Sequence, residues 1–526
     1  MSFENKNTWF RALQAGGLDP LHAAFEAAWR EQQGSIGKDH GHYINGKAKA
    51  GGGVYSAKTS PSDARMLVGR FVQGTKDEAL AAVAAAKAAA PAWRATPWQE
   101  RADLLDRVAD VMTRRFWELC CAMTLENGKN RFEASIDVDE GIDFCRSYAA
   151  QMREHNGFVT SMGSPFPGEA NETRFLPYGV FAVIAPFNFP IAITAGMTVG
   201  ALVTGNTVVL KPTQDTPLCG ELVYECIAEA GVPAGVINLV HGSGSVVGQA
   251  LVDSDDVDGF VFTGSVGVGL QILHTAQRRC AKPVIAEMGG KNPIVVSAKA
   301  DLDKAVDGVF NAAFGFSGQK CSACSRLYLQ QDIAEDFLAR LVRRMQGVVV
   351  GQPALKDTFM GPVVNARALK TYLDAVALAR RDGGRFIAGG EQILTGDLAH
   401  GYFVQPAVVT GLPASHELFR RELFVPFVAV DTFATLDEAL RKANDVEFGL
   451  TAGVFTEDTA ERDFFFSHIE AGVTYCNRRR GGSTGAVVDA QTFVGWKNSG
   501  TTGRGAGGRN YLQQFMREQS RTIVTG

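Results

Sequence analysis

The sequence predicts an α/β protein built on a doubly wound, mostly parallel sheet, with a second α/β series behind it. Three observations carry this. From Tyr178 onward, short runs rich in β-branched residues alternate with helical stretches, as parallel strands joined by crossover helices require. Ahead of them a helical block runs from about Asp77 to Asn156. Two Gly- and Pro-rich pieces, Phe158–Pro177 and the tail after Gly495, are too short to bury a core alone and must pack on another element or subunit.

Within the helical block, Leu104, Leu105, Val108, Met112, Phe116 and Leu119 recur at three- and four-residue steps. Pro91 and Pro97 are expected to break its first helix from its second. The first strands are expected at Val180–Ala185, Thr207–Leu210, Val236–Val240, Gly259–Phe262 and Pro283–Ala286, with helices such as Leu218–Ala230 and Val266–Arg279 between them. The second series begins at Pro293–Val296 and runs to about Val473. The tail ends in a β-like Arg521–Val524.

Composition narrows the function classes. A chain of 526 residues suits two to four domains. With 52 Lys and Arg against 56 Asp and Glu, the net charge of −4 offers neither a basic field for nucleic acid nor a polyacid. Nine cysteines, an odd and sparse number, argue against a disulfide framework and for a reducing compartment. The opening MSFENKNTWF lacks a basic-then-apolar leader. The longest low-charge run, Phe187–Leu210, contains Asn188, Pro190 and Asn206 and reads as buried core, so a cytoplasmic protein without a membrane span is expected.

Several familiar signals are weak. Gly242-Ser-Gly244-Ser-Val-Val-Gly248 resembles a dinucleotide fingerprint, but it follows the first strand by some 60 residues in a chain with 58 glycines. Cys321-Ser-Ala-Cys324 has no second pair at zinc spacing and the nine histidines show no H-E-x-x-H, so no metal is expected.

Four strings carry the chemistry together. They are Ala185-Pro186-Phe187-Asn188-Phe-Pro190, Leu210-Lys211-Pro212, Glu287-Met-Gly-Gly290-Lys291 and Gly318-Gln-Lys320-Cys321. Each alone has an ordinary reading: a rigid turn, a solvated strand end, a cap and a small buried thiol. Their order and spacing change that. Cys321 follows Asn188 by 133 residues and Glu287 by 34. With Phe262-Thr-Gly264-Ser265 and Glu422-Leu-Phe424, nearly the whole chain, from about Ser60 to Val524, resembles the aldehyde dehydrogenase superfamily.

That resemblance implies a Rossmann-like cofactor domain (1–156 and 178–289), a second α/β catalytic domain (290–494) and a small β oligomerisation arm (157–177 and 495–526). It implies oxidation of a small aldehyde to an acid with NAD, or NADP, in a homodimer or larger assembly. Such a reaction needs a nucleophile that adds to the carbonyl and leaves again, and a thiolate suits both steps. By resemblance Cys321 is that nucleophile, Asn188 binds the oxyanion with the Cys321 backbone N–H, and Glu287 is the base for thioester hydrolysis. Pro186, Phe187, Lys211, Gln214, Gly244, Gly248, Phe262, Gly264, Ser265, Glu422 and Phe424 would contact the cofactor, with Lys211 on the adenosine ribose and Glu422 on the nicotinamide ribose. Gln214 stands where NAD-specific members commonly carry Glu; being neutral, it repels a 2′-phosphate less.

The string Gly318-Gln-Lys-Cys-Ser322-Ala-Cys-Ser-Arg326-Leu-Tyr328 resembles the L-glutamate γ-semialdehyde (1-pyrroline-5-carboxylate) dehydrogenase branch, implying a role in proline catabolism. There Gly485 and Ala486, with Ser322, would hold the substrate's α-carboxylate, Glu140 its ammonium and Phe493 its aliphatic part; Lys320 is a further candidate substrate contact. Three departures from the branch stand out. Arg480-Gly-Gly482 looks like an insertion beside that loop, Thr492 and Val494 interrupt the expected Q-P-F-G-G, and Val425 replaces a family glycine and is expected to add bulk near the cofactor. The alternatives are another ω-semialdehyde or an aliphatic or aromatic aldehyde as substrate, and a catalytically idle binding protein of this fold.

Overall fold

The computed structural model describes residues 5, 7–50, 53–278, 280–479 and 487–525. Five parallel strands form the first sheet: Val180–Ile184, Thr207–Lys211, Ile237–Leu239, Gly259–Thr263 and Val284–Glu287. In space they run fifth, fourth, first, second, third, so the winding direction reverses beside Val180–Ile184. Two short antiparallel strands, His42–Ile44 and Lys47–Lys49, extend the edge beyond Ile237–Leu239.

The strands are apolar on both sides because both faces are covered. Phe181 and Val183 pack with the helices Ala192–Val203 and Pro217–Glu229. Val180, Ala182 and Ile184 pack on the opposite face, against the helices Lys76–Ala95 and Val266–Ala276.

Pro91 does not break its helix, contrary to expectation: Lys76–Ala95 continues through it, and the next helix, Trp98–Arg114, starts after Pro97. A capping box between Thr75 and Glu78 fixes the helix start. The buried face, Ala79, Ala82, Val83, Ala86 and Trp93, holds it on both sides of the proline. Trp93 lies beyond Pro91, and its indole N–H donates to the Leu202 carbonyl at 3.1 Å.

The second sheet runs Arg385–Ala388, Ala407–Thr410, Phe427–Phe433, Cys324–Gln330, Asn292–Val296, Thr451–Phe455, Val473–Cys476. Only the Arg385–Ala388 edge is antiparallel. A third, antiparallel sheet joins Val159–Met162, Glu169–Pro177 and Met516–Val524.

The tail departs from expectation in one respect. Its arm strand begins at Met516, and residues 495–515 do other work. Trp496–Lys497 pairs with Phe448–Gly449, Ser499–Thr501 runs beside Ala286–Met288, and Tyr511, Leu512 and Phe515 are buried in the core around Phe181. These apolar side chains are anchored by packing, which composition alone did not reveal.

Candidate active site

Open parallel sheets bind ligands past the carboxyl ends of their strands, at the point where winding reverses. Here that point lies between Val180–Ile184 and Gly259–Thr263, and it opens into a groove with about 2340 Å³ of empty space. Pro186, Phe187, Lys211, Gln214, Gly244, Gly248, Phe262, Gly264, Ser265, Glu422 and Phe424 all line it, together with Asn188 and Cys321.

Sequence reasoning missed Asn365, Arg367 and Thr371, which close the groove from the far side. Asn365 caps the helix Ala366–Arg381, accepting from the Ala368 N–H at 2.9 Å. An Asn ahead of a helical run signals that cap, but nothing local says which cavity the helix faces.

Two of the groove's charged groups, Lys211 and Glu422, are desolvated. Burial pushes the Lys211 ammonium down to about 8, and it donates to the Pro212 carbonyl at 2.9 Å. Burial likewise raises the Glu422 carboxyl to about 7, although the Gly290 N–H donates to its Oε1 at 2.8 Å. The helix Val266–Ala276 opens at Ser265, so its free N–H groups face the groove and favour an anionic group such as a pyrophosphate. A buried ammonium, a helix N-terminus and a carboxylate along one groove form a set of polar groups that fits a nicotinamide dinucleotide.

A second cavity, about 660 Å³, adjoins the groove. Phe144, Tyr148, Phe189, Phe493 and Tyr511 make it aromatic, and Glu140, Glu287 and Ser322 supply its polar atoms. Tyr148 and Tyr511, stacked with centroids 5.6 Å apart, were not singled out in the sequence. Cys321 lines both cavities.

The loop carrying Cys321 is tightly held. Phe316, Ser317 and Gly318 all have positive φ (49°, 56° and 66°). A Cβ on Gly318 would stand 2.6 Å from the Val425 carbonyl oxygen, so glycine is required there. The Asn292 amide donates to the Cys321 carbonyl (2.7 Å) and the Ala323 carbonyl (2.9 Å), and its oxygen accepts from the Thr451 N–H (3.0 Å). Gln319 Oε1 accepts from the Val364 N–H at 2.8 Å. A Cβ on Gly290 would lie 2.6 Å from the Cys321 carbonyl oxygen, so the two strand ends meet backbone to backbone.

Glu287 ends its strand opposite Thr263 and faces the aromatic cavity. Desolvation raises its carboxyl well above the usual range, an N–H from Gly495 opposes this, and Oε2 has no hydrogen-bond partner among the described residues. Burial, and then the carboxylates of Glu422 and Glu287, also raise the Cys321 thiol.

Lys320 does not join the substrate contacts. It is buried in an ion pair with Glu133 (2.7 Å) and is not among the residues lining the aromatic cavity. Behind Phe189, Lys129 pairs with Asp137 at 2.6 Å, both fully buried, and its ammonium sits 3.7 Å from the Phe189 ring centroid. Gly485 and Ala486 lie outside the described residues, as does the Arg480–Gly482 insertion. Among the described residues no cluster of three or more His, Cys, Asp or Glu could hold a metal, and no helix is long and apolar enough to cross a membrane.

A thiol between a long groove at a sheet's winding reversal and an aromatic pocket with a buried carboxylate defines the class: an oxidoreductase acting on aldehydes. The chain belongs to the aldehyde dehydrogenase family, whose sequence profile matches residues 51–520. It is 39% identical over 505 residues to a 1-pyrroline-5-carboxylate dehydrogenase from Geobacillus sp. strain WCH70, covering 95% of each chain. Among solved structures, it superposes on 1-pyrroline-5-carboxylate dehydrogenase from Thermus with bound NAD (TM-score 0.93, 35% identity, 100% of this chain and 99% of that one). It matches proline utilization A from Bdellovibrio bacteriovorus equally well (TM-score 0.93, 37% identity), all of this chain spanning 53% of that protein.

Proposed function

We propose that the protein oxidises L-glutamate γ-semialdehyde to L-glutamate with NAD, as a step of proline breakdown. One observation carries the chemistry: Cys321 stands where the groove and the aromatic pocket meet, with Asn188 lining the groove and Glu287 lining the pocket. The thiol gives its proton to the Glu287 carboxylate, which shares the pocket with it, and its sulfur adds to the aldehyde carbon. The developing alkoxide is held by the Asn188 amide and the Cys321 backbone N–H. A bound nicotinamide supplies the hydride acceptor for this class of reaction. The thioester left on Cys321 is hydrolysed by water that gives its proton to Glu287, whose raised pKa suits a group that must take up and release protons.

The glutamate assignment rests on the relatives' printed activity and on the pocket's makeup. Glu140 lines the pocket and can meet an α-ammonium, Ser322 can donate to a carboxylate, and the aromatic walls suit the methylenes. In this reading residues 1–156 and 178–289 bind the cofactor and 290–494 bear the nucleophile. The arm, 157–177 with the final strand, pairs with a second copy in a cytoplasmic homo-oligomer; its outer strand leaves Ile523 and Val524 exposed, which suits burial in a partner. NADH formation is to be compared for glutamate, succinate and simple aliphatic semialdehydes. Glutamate semialdehyde should give the highest kcat/KM, and preference for an unbranched aldehyde would overturn the substrate. Cys321→Ala should lower turnover by at least about 1000-fold, on the scale of other nucleophile removals; normal turnover would overturn the mechanism.

A further inference from the structure

The string that carries Asn188 is gripped at both ends by residues far from it in sequence. On its near side the Asn127 amide donates to the Phe187 carbonyl at 2.9 Å. On its far side the helix Ala192–Val203 begins after Ile191, whose apolar side chain cannot cap it. Asp137, on the helix Arg131–Glu154, supplies the acceptor instead: its Oδ1 takes the Ala192 N–H at 2.6 Å. The other Asp137 oxygen accepts from the Lys129 ammonium at 2.6 Å, and both side chains are fully buried.

Replacing a buried ion pair by apolar residues of like volume is often neutral or stabilising, so stability alone gives this pair no purpose. Its location supplies one. The Lys129 ammonium lies 3.7 Å from the ring centroid of Phe189, the residue after Asn188. It lies 4.9 Å from that of Phe316, in the loop that leads to Cys321. Both distances are within cation–π range. The Lys129 backbone N–H in turn donates to Asn127 Oδ1 at 3.3 Å, which ties the pair to the grip on Phe187. One turn earlier on the same helix, Glu133 holds Lys320, the neighbour of Cys321, at 2.7 Å. A single helix thus supports both the oxyanion string and the nucleophile loop. Asn127, Lys129 and Asp137 line neither the groove nor the aromatic pocket, so they act through Asn188 and Cys321 and not on a bound molecule.

We propose that Lys129, Asp137 and Asn127 are positioning residues for the oxidation, setting the separation of the Asn188 amide and the Cys321 sulfur at which the oxyanion is caught. The proposal rests on Asn188 being the oxyanion donor, as in the proposed function. Two changes test it. Lys129→Met with Asp137→Asn removes both charges and keeps an oxygen for the Ala192 N–H. Asn127→Ala removes no charge, and carries the test if the double variant does not fold. Each is made in wild type and in Asn188→Ala, with unfolding temperature and 5′-AMP affinity measured for all. In wild type each should lower kcat for glutamate semialdehyde by about 10- to 100-fold, the scale of a misplaced catalytic group. KM should stay within about twofold, as the loss of an interaction made in the transition state requires. In Asn188→Ala the same changes should lower kcat by less than about twofold further, because residues that act through one group are not additive. Equal losses in the two backgrounds, or losses confined to KM, would overturn the proposal and leave the oxyanion reading standing. Wild-type kcat in Asn188→Ala itself would overturn both.

Discussion

The groove and the aromatic pocket meet at Cys321, yet their walls come from different kinds of structure. The groove is lined largely by loops past strand ends, Ala185–Asn188, Lys211–Asp215 and Thr263–Ser265, with Glu422–Phe424 between the helix Glu417–Arg420 and the strand Phe427–Phe433. Each is a short contiguous string whose backbone is fixed by the sheet beneath it. The pocket is assembled from elements far apart in sequence. Glu140, Phe144 and Tyr148 share one face of the helix Arg131–Glu154 at four-residue steps. Phe189 and Met197 come from the next helical region, and Phe493, Ala506 and Tyr511 from the tail. Two buried ion pairs, Lys129–Asp137 and Lys320–Glu133, flank Phe189. The groove thus depends on local backbone, and the pocket on long-range packing and buried charge. Substitutions that disturb the pocket should leave nucleotide binding intact.

Glu287→Gln should give the largest separation of the two regions. It should lower steady-state turnover by about 100- to 10,000-fold, the usual range for a positioned base, while an initial burst of NADH persists. The wild-type rate should rise with pH through the raised pKa of this carboxyl, because the protonated form cannot accept a proton from water. The variant should lose that limb; an unchanged pH profile in rapid-quench experiments would remove Glu287 from deacylation.

Lys320→Met comes next. It leaves Glu133 as a buried carboxylate without its cation, a change that costs about 3–5 kcal/mol in comparable pairs. Denaturant unfolding should register this, and kcat/KM for the aldehyde should fall while 5′-AMP affinity holds. Replacing Glu133 by Leu in the same variant should restore most of the stability, and failure to do so would mean the pair acts by more than mutual neutralisation. Asn188→Ala should follow, with a loss of about 100- to 1000-fold in kcat and little in nucleotide affinity, the cost of one oxyanion donor; a loss confined to KM would assign Asn188 to binding instead.

The same contrast explains what the sequence made legible. Strand ends and their polar residues announce themselves, because an apolar β-branched run stops at Lys211 or Glu287 and a turn string follows. The eleven residues that the resemblance implied as cofactor contacts all line one groove, several of them just past such strand ends. Tyr148 and Tyr511 gave no such signal, since a buried aromatic that lines a cavity has the same spacing as one that fills a core. Lys320 misled through adjacency. It neighbours Cys321, but successive side chains on a turn need not share a direction, and this one finds Glu133, 187 residues away in sequence.

Val425 offers the finest test, because the family glycine it replaces suggested bulk pressed toward the cofactor. Phe424 has φ +59°, and this turn sends its ring to the groove. Val425 instead is 5% exposed and packs in the core of the second sheet near Leu423 and Phe427. Val425→Ala should therefore cost about 1.5 kcal/mol of stability, the transfer worth of the methyl groups removed. It should leave nucleotide affinity within about twofold, well under 1 kcal/mol. A tighter nucleotide complex in the variant would mean that the valine does crowd the groove, and that the separation drawn between strand-end loops and packed core fails at this residue.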